Sequence, residues 1–141
     1  MAREEKPAPA GADIQTIWRV LEGFAWATVA AQVLSTALSL FTSGRTFLVP
    51  ALAVGGGLVV LRAIILVGVR ERGMWALWCG MAMGALTVLT MPILLRAHVS
   101  GDFGVIEVTP AAAIMGWVTV LVNVLFLIGA CWVLISERRA K

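Results

Sequence analysis

Arg62 is the residue whose type and position most directly suggest chemistry, because it is a charged side chain inside a long apolar run. It lies about seven residues, or roughly 10 Å along a helix, from the nearer end of that run. A charge at this depth in a membrane is expensive and needs polar partners. Gln32 and Asn123 are the candidates in other apolar runs. We therefore predict an intramembrane polar layer of Gln32, Arg62 and Asn123.

Two interpretations of this layer stay open at the level of the sequence. Proton-coupled carriers commonly use an intramembrane carboxylate, and none of the long apolar runs contains Asp or Glu. A buried Arg with amide neighbours instead fits either a polar clasp that fixes the register of the helices or a site for an anionic or lipidic solute. We favour the clasp.

The remaining candidates for chemistry are a histidine with two carboxylates and a pair of cysteines. His98, Asp102 and Glu107 supply too few ligands in too open a spacing for a zinc site, which takes three or four. Cys79 and Cys131 lack a CxxC partner, so we expect two small buried side chains, with a metal or redox pair as the alternative. We predict no metal, no cofactor, no catalytic residues and no enzyme activity.

Four long hydrophobic segments must position these residues. The chain has 141 residues, of which 60% are apolar and only 13% charged, too few charges for an ordinary soluble surface. Each segment is near the ~20 residues that cross a bilayer as a helix. The fold class predicted is an all-α integral membrane protein, a four-helix transmembrane bundle over residues 23–135, with spans at 23–41, 47–69, 74–95 and 111–135 and an outer loop at 96–110. Short connections predict antiparallel, up-and-down neighbours.

The distribution of basic residues predicts the orientation of the bundle. Lys and Arg close to span ends are retained on the cytoplasmic side, and eight of the eleven fall on the side that holds both termini. This predicts an N-in, C-in topology. An interfacial aromatic belt is expected on the same side, formed by Trp18, Trp26, Trp75, Trp78 and Trp132.

The two ends of the chain are predicted to be short cytoplasmic segments. Residues 1–13 are charged and rich in Pro and Ala, as in a disordered tail, and 136–141 form a basic tail. Between the first tail and the first span, 14–22 has an amphipathic pattern. It is either a turn lying on the membrane interface, with Asp13 as a candidate cap, or an extension of the first span.

Small side chains recur every four residues along several spans, which predicts close helix packing. The second span also contains Gly55-Gly56-Gly57, for which close packing is expected and a kink or local unwinding is the alternative. The GxxxG of the third span is expected to pack within the bundle, with a dimer seam as the alternative. The predicted helix-packing residues are Gly23, Ala27, Ala31, Ser35, Ser39, Gly80 and Gly84.

These features predict a small multi-pass protein of a bacterial cytoplasmic membrane that acts as a non-catalytic assembly or accessory subunit. A carrier or binder of an anionic or lipidic solute that uses Arg62 is the alternative. The expected partners are membrane lipids and another membrane protein or a second copy of the chain, and no nucleic acid. Contacts with anionic headgroups are expected from Arg70, Arg72, Arg138 and Arg139.

Overall fold

The computed structural model describes residues 10–42, 48–99 and 109–139. The described chain forms four α-helices: α1 (Ala10–Thr42), α2 (Leu48–Arg70), α3 (Met74–Val99) and α4 (Pro110–Arg139). All four are long and apolar enough to cross a membrane. The structure therefore shows the predicted all-helical bundle with four candidate membrane spans.

The helices pack in a ring in which each touches two neighbours. The contacts run α1 with α2, α2 with α3, α3 with α4, and α4 back to α1; the α2–α3 contact is the least extensive. Within the described residues, the backbones of the diagonal pairs do not approach each other closely. The centre of the ring is therefore reached only by side chains.

The start of α1 resolves one alternative left by the sequence. Residues 14–22 continue directly into the first span as one helix, and Ile17, Trp18 and Leu21 are buried against the other helices. The segment therefore extends the span and packs on the bundle. Since α1 begins at Ala10, Asp13 lies inside the helix and is not its N-cap, and residues 10–13 of the predicted tail are helical.

Burial separates Trp18 from the other tryptophans that were assigned to an interfacial belt. Trp18 is only 4% exposed, because the first turns of α1 face the core, so its assignment to the belt is wrong. The belt residues that stay exposed on the surface of the bundle are Trp26, Trp75, Trp78 and Trp132.

The start of α4 follows from a capping signal. Thr109 precedes Pro110, the first helical residue, and its Oγ1 accepts a hydrogen bond from the amide of Ala112 at 3.3 Å. Thr is a favoured N-cap residue, and Pro fits the first helical position because its missing N–H needs no partner there. At its other end α4 continues to Arg139, into the segment predicted as a tail.

The apolar core occupies one half of the bundle. Its large members come from the N-terminal halves of α1 and α3 and the C-terminal halves of α2 and α4, and they surround the end of the bundle that carries the α2–α3 turn. They include Leu21, Val69, Leu77 and Val133, all at most 1% exposed. In the other half, large apolar side chains such as Phe41 and Val49 lie on the surface, 88% and 79% exposed.

Candidate functional site: a buried arginine at the centre of the bundle

Arg62 lies on α2 and is buried, with 6% of its surface exposed. Its Nη1 donates a hydrogen bond to Oδ1 of Asn123 at 3.0 Å, and its Nη2 donates to Oγ1 of Thr87 at 3.2 Å. Asn123 is on α4, diagonally opposite α2, and Thr87 is on α3. The long Arg62 side chain therefore crosses the centre of the ring, where the backbones of α2 and α4 do not meet.

The two acceptors are held in place by their own helices. Thr87 donates its hydroxyl proton to the carbonyl of Met83 at 2.9 Å, and Asn123 donates from Nδ2 to the carbonyl of Thr119 at 2.7 Å. These bonds leave the Thr87 oxygen and Asn123 Oδ1 to accept from the guanidinium. The orientation of each acceptor is thus fixed by a bond that does not involve Arg62.

The charge of Arg62 is stabilised by the dipoles of neutral groups. Within the described residues, the ion pair found is Glu22 with Arg70, whose Oε1 and Nε atoms are 4.0 Å apart on the bundle surface. Arg62 has no carboxylate at salt-bridge distance among these residues. A guanidinium stays protonated in proteins, so the site holds a permanent positive charge solvated by an amide and a hydroxyl.

Two of the three residues of the predicted polar layer meet, and the third does not. Asn123 bonds directly to Arg62, whereas Gln32 is half-buried and is not among the hydrogen-bond acceptors of Arg62. The residue of α1 that lies near Arg62 is Thr28, one turn earlier, which lines a small cavity with Arg62 and Asn123. Sequence reasoning missed Thr87 as a partner of Arg62. Its place one turn beyond Gly84, a predicted packing residue of the same span, is the signal that could have found it.

The predicted packing residues fall into two groups. An added Cβ at Gly80 would lie 2.6 Å from Cζ of Phe126, and one at Gly84 would lie 3.3 Å from Cγ of Leu127, so both glycines allow a close approach of α3 and α4. Ala31 is buried and Ala27 and Ser35 are half-buried, but Gly23 and Ser39 are exposed. Among the described residues, a Cβ at Gly23 would meet nothing within 4 Å, so the first member of the α1 ridge does not pack against another helix.

The glycine triplet of α2 is helical throughout, and the alternative of local unwinding is not seen. A Cβ at Gly55 would come within van der Waals overlap of the Thr36 side chain of α1. Added Cβ atoms at Gly56 and Gly57 would meet none of the described residues within 4 Å. Close packing inside the chain therefore explains the first glycine and leaves the other two unexplained.

The cysteines differ from their predicted placement. Cys79 and Cys131 are both exposed on the surface of the bundle, because each lies on the outward side of its helix. The prediction that they are small core residues is therefore wrong.

The remaining candidates are only partly described. Within the described residues, no three His, Cys, Asp or Glu side chains come together as a metal site would require. Asp102, Glu107 and the side chain of His98 lie outside the described residues. Arg70, Arg72, Arg138 and Arg139, predicted to contact lipid headgroups, are exposed.

Comparison with protein-family models, with curated proteins and with solved structures gave no match for this chain.

Proposed function

We propose that this chain is a multi-pass protein of a bacterial cytoplasmic membrane, with antiparallel spans and both termini in the cytoplasm, and that it is a non-catalytic assembly or accessory subunit. Its role is to present an outer helix face to another membrane protein. The observation that carries this proposal is an exposed glycine in the middle of α2, Gly57.

Glycine in the middle of a helix needs a reason, because it destabilises the helix by roughly 0.5–1 kcal/mol relative to alanine. Gly55 has one in its contact with Thr36, but Gly56 and Gly57 have no neighbour within 4 Å of an added Cβ among the described residues. Ala53, one turn before Gly57, is also exposed. Small residues spaced by four allow two membrane helices to approach closely. The exposed face formed by Ala53 and Gly57 thus supports docking of a helix from another chain.

The geometry of Arg62 favours a clasp over a carrier site. A guanidinium recognises carboxylate or phosphate through two parallel N–H groups, and each terminal nitrogen of Arg62 already donates one hydrogen bond, to Asn123 or to Thr87. The adjoining cavity has a volume of about 10 Å³, far below the ~300 Å³ at which ligand pockets begin. An anionic solute would therefore have to open the bundle to reach the guanidinium.

Contacts along the helices support the antiparallel arrangement. Glu22 meets Arg70, and Thr36, further along α1, lies beside Gly55, which is earlier on α2. The exposed basic residues of the described chain, including Arg19 and Arg72, gather around the α2–α3 turn and the end of α4. Lys and Arg near span ends mark the cytoplasmic side, which supports placing both termini there.

Purification in a mild detergent from the native membrane tests the subunit role. We expect the tagged chain to retain a stoichiometric membrane partner and the G57L variant to lose it, because leucine would fill the exposed face of α2. The matched control is G23L, the same change at a glycine that is also open on the surface but lies on α1. Helicity measured by circular dichroism should be unchanged in both variants.

Two results would contradict the proposal. One is retention of the same partner by G57L, which would place the interface elsewhere. The other is flux of an anionic solute from liposomes that contain this chain alone, abolished in R62M, which would establish the carrier alternative. A second copy of the chain as the partner, recognised by mass, would leave the docking face on α2 and replace the heteromeric subunit with a homo-oligomer.

A further inference from the structure

A small cavity lies beside Arg62, between Thr28 of α1 and Asn123 of α4. Ile65, Gly80 and Phe126 form part of its apolar wall. Its volume of about 10 Å³ is close to the minimum that a single water molecule occupies. A cavity of this size is filled only if its walls offer the polar partners that a water molecule needs.

Arg62 supplies a donor without a protein acceptor. Its Nε is buried, and among the described residues it has no hydrogen-bond partner, although both terminal nitrogens do. Buried polar atoms are almost always satisfied by protein or by ordered water, and an exception in a native fold calls for an explanation. The N–H of a charged guanidinium is among the donors least able to go without an acceptor.

Two of the residues that line the same cavity, Thr28 and Asn123, carry acceptor oxygens. Thr28 donates its hydroxyl proton to the carbonyl of Ala25 at 2.8 Å, which leaves lone pairs on its oxygen. Oδ1 of Asn123 accepts one bond from Arg62 and has a second lone pair. The residues around the cavity therefore offer one N–H donor and two oxygen acceptors.

We propose that this cavity is a specific binding site for one water molecule, which accepts from Arg62 Nε–H and donates to Thr28 Oγ1 and Asn123 Oδ1. Three hydrogen bonds are typical of a buried structural water. A halide ion fits this cavity less well, because it is larger than water and its negative charge would face the lone pairs of two oxygen atoms. The water extends the polar contacts of Arg62 to α1, the one helix that it does not reach directly.

Nuclear magnetic resonance of the full chain in lipid nanodiscs tests the site. With ¹⁵N-labelled arginine, the Nε–H of Arg62 is assigned as the signal that disappears in R62K. We expect this proton to exchange slowly with solvent and to give a cross-peak to water with the sign of a long-lived bound molecule. The exposed Arg70 and Arg72 should give no such cross-peak.

Substitutions at Thr28 separate the bound water from a general effect of burial. T28V keeps the shape of the side chain and removes one acceptor, so we expect occupancy of the site to fall about tenfold, as for one lost hydrogen bond, and the cross-peak to weaken accordingly. T36V is the matched control. Thr36 is also on α1 and donates to a backbone carbonyl, that of Gln32 at 2.8 Å, but it does not line the cavity.

Three outcomes would overturn the proposal, and the first two need only the unaltered chain. The first is a slowly exchanging Arg62 Nε–H without a water cross-peak, which would mean a dry cavity. The second is a shift of this signal when chloride is replaced by bromide at constant ionic strength, which would mean a bound anion. The third is a cross-peak that weakens equally in T28V and T36V.

Discussion

At the scale of single residues, the main feature is a positive charge held by two neutral acceptors. Arg62 reaches Asn123 and Thr87 on two other helices, and each acceptor is fixed by a bond to its own backbone. Removing the acceptor of a buried charge leaves the charge without compensation, whereas replacing both the charged residue and its acceptor with apolar residues is often neutral or stabilising. Comparing the stability of a single and a double variant therefore tests whether the Arg62 contacts stabilise the bundle or only specify how its helices pack.

Substitution of Asn123 tests that arrangement. We expect N123L to lower the free energy of unfolding by about 1.5–3 kcal/mol, because it leaves the charge of Arg62 without its closer acceptor. The double variant R62M/N123L should recover most of this loss. Tryptophan fluorescence during titration of detergent-solubilised protein with dodecyl sulfate measures the unfolding. A double variant as unstable as N123L would show that Asn123 contributes through packing and not through the charge.

Arg72 carries a second residue-scale prediction, because its φ of 57° places a non-glycine residue in the left-handed region. It lies two residues after the end of α2 at Arg70, and the next amide, of Gly73, donates to the carbonyl of Gly68 at 2.8 Å. Glycine is the preferred residue at such a helix end. We expect R72G to raise the free energy of unfolding by about 0.5–1 kcal/mol.

The control for this prediction is E71G. Glu71 is exposed in the same turn but does not have a positive φ, so glycine there should give no gain. The same dodecyl sulfate titration compares the two variants. Equal stabilisation by both would mean that the conformation of Arg72 is not strained.

At the scale of the helices, close approach is set by a few small residues. Gly80 and Gly84 are both on the face of α3 that meets α4, but an added Cβ would lie 2.6 Å from the Phe126 ring at Gly80 and 3.3 Å from Leu127 at Gly84. The first distance requires a large aromatic side chain to move, and the second requires a shift of a few tenths of an ångström. The two glycines of the GxxxG motif therefore differ in how much room they leave for a larger residue.

Alanine substitutions measure this inequality. We expect G80A to destabilise the bundle by about 1–3 kcal/mol through overpacking and G84A to cost less than about 1 kcal/mol. The gain in helix propensity is the same for both changes, so each variant is the control for the other. A larger loss of stability in G84A would contradict the packing seen between α3 and α4.

The helices could be predicted from the sequence because each span is a long apolar run, whereas their partners in the site depend on rotation and register. Asn123 was a candidate partner for Arg62 by its depth. Gln32 was a candidate too, but the contacts of Glu22 with Arg70 and of Thr36 with Gly55 place Arg62 level with the turn between Thr28 and Gln32. Thr28 faces the centre there. A shift of one helical turn changes which side chain points inward, and hydropathy does not predict that register.

The ends of the helices were likewise only partly predictable from the sequence. The Thr109-Pro110 pair is a readable start signal for α4. The inward packing of Trp18 was not readable in the same way, because a tryptophan near a span end fits both an interfacial belt and a core. Tertiary contacts with the other helices decide between these places.

At the scale of the whole molecule, orientation can be tested independently of any partner. A C-terminal fluorescent-protein fusion in a bacterial host should be fluorescent, and a C-terminal alkaline phosphatase fusion should be inactive, because both termini are proposed to be cytoplasmic. The exposed Arg138 and Arg139 near the end of α4 are part of the signal. The opposite pair of results would refute the proposed topology.

Because the large core side chains lie at one end of the bundle, we expect the helices to separate first at the other end. Tight contacts of large side chains surround the end with the α2–α3 turn, whereas the opposite half is packed through small groups such as Ala31 and Gly116. Local opening starts where few apolar contacts must break. Amide hydrogen exchange in micelles should therefore be faster at Leu52 than at Val69 on the same helix, and transient separation of the helices should begin at one membrane face while the other stays closed.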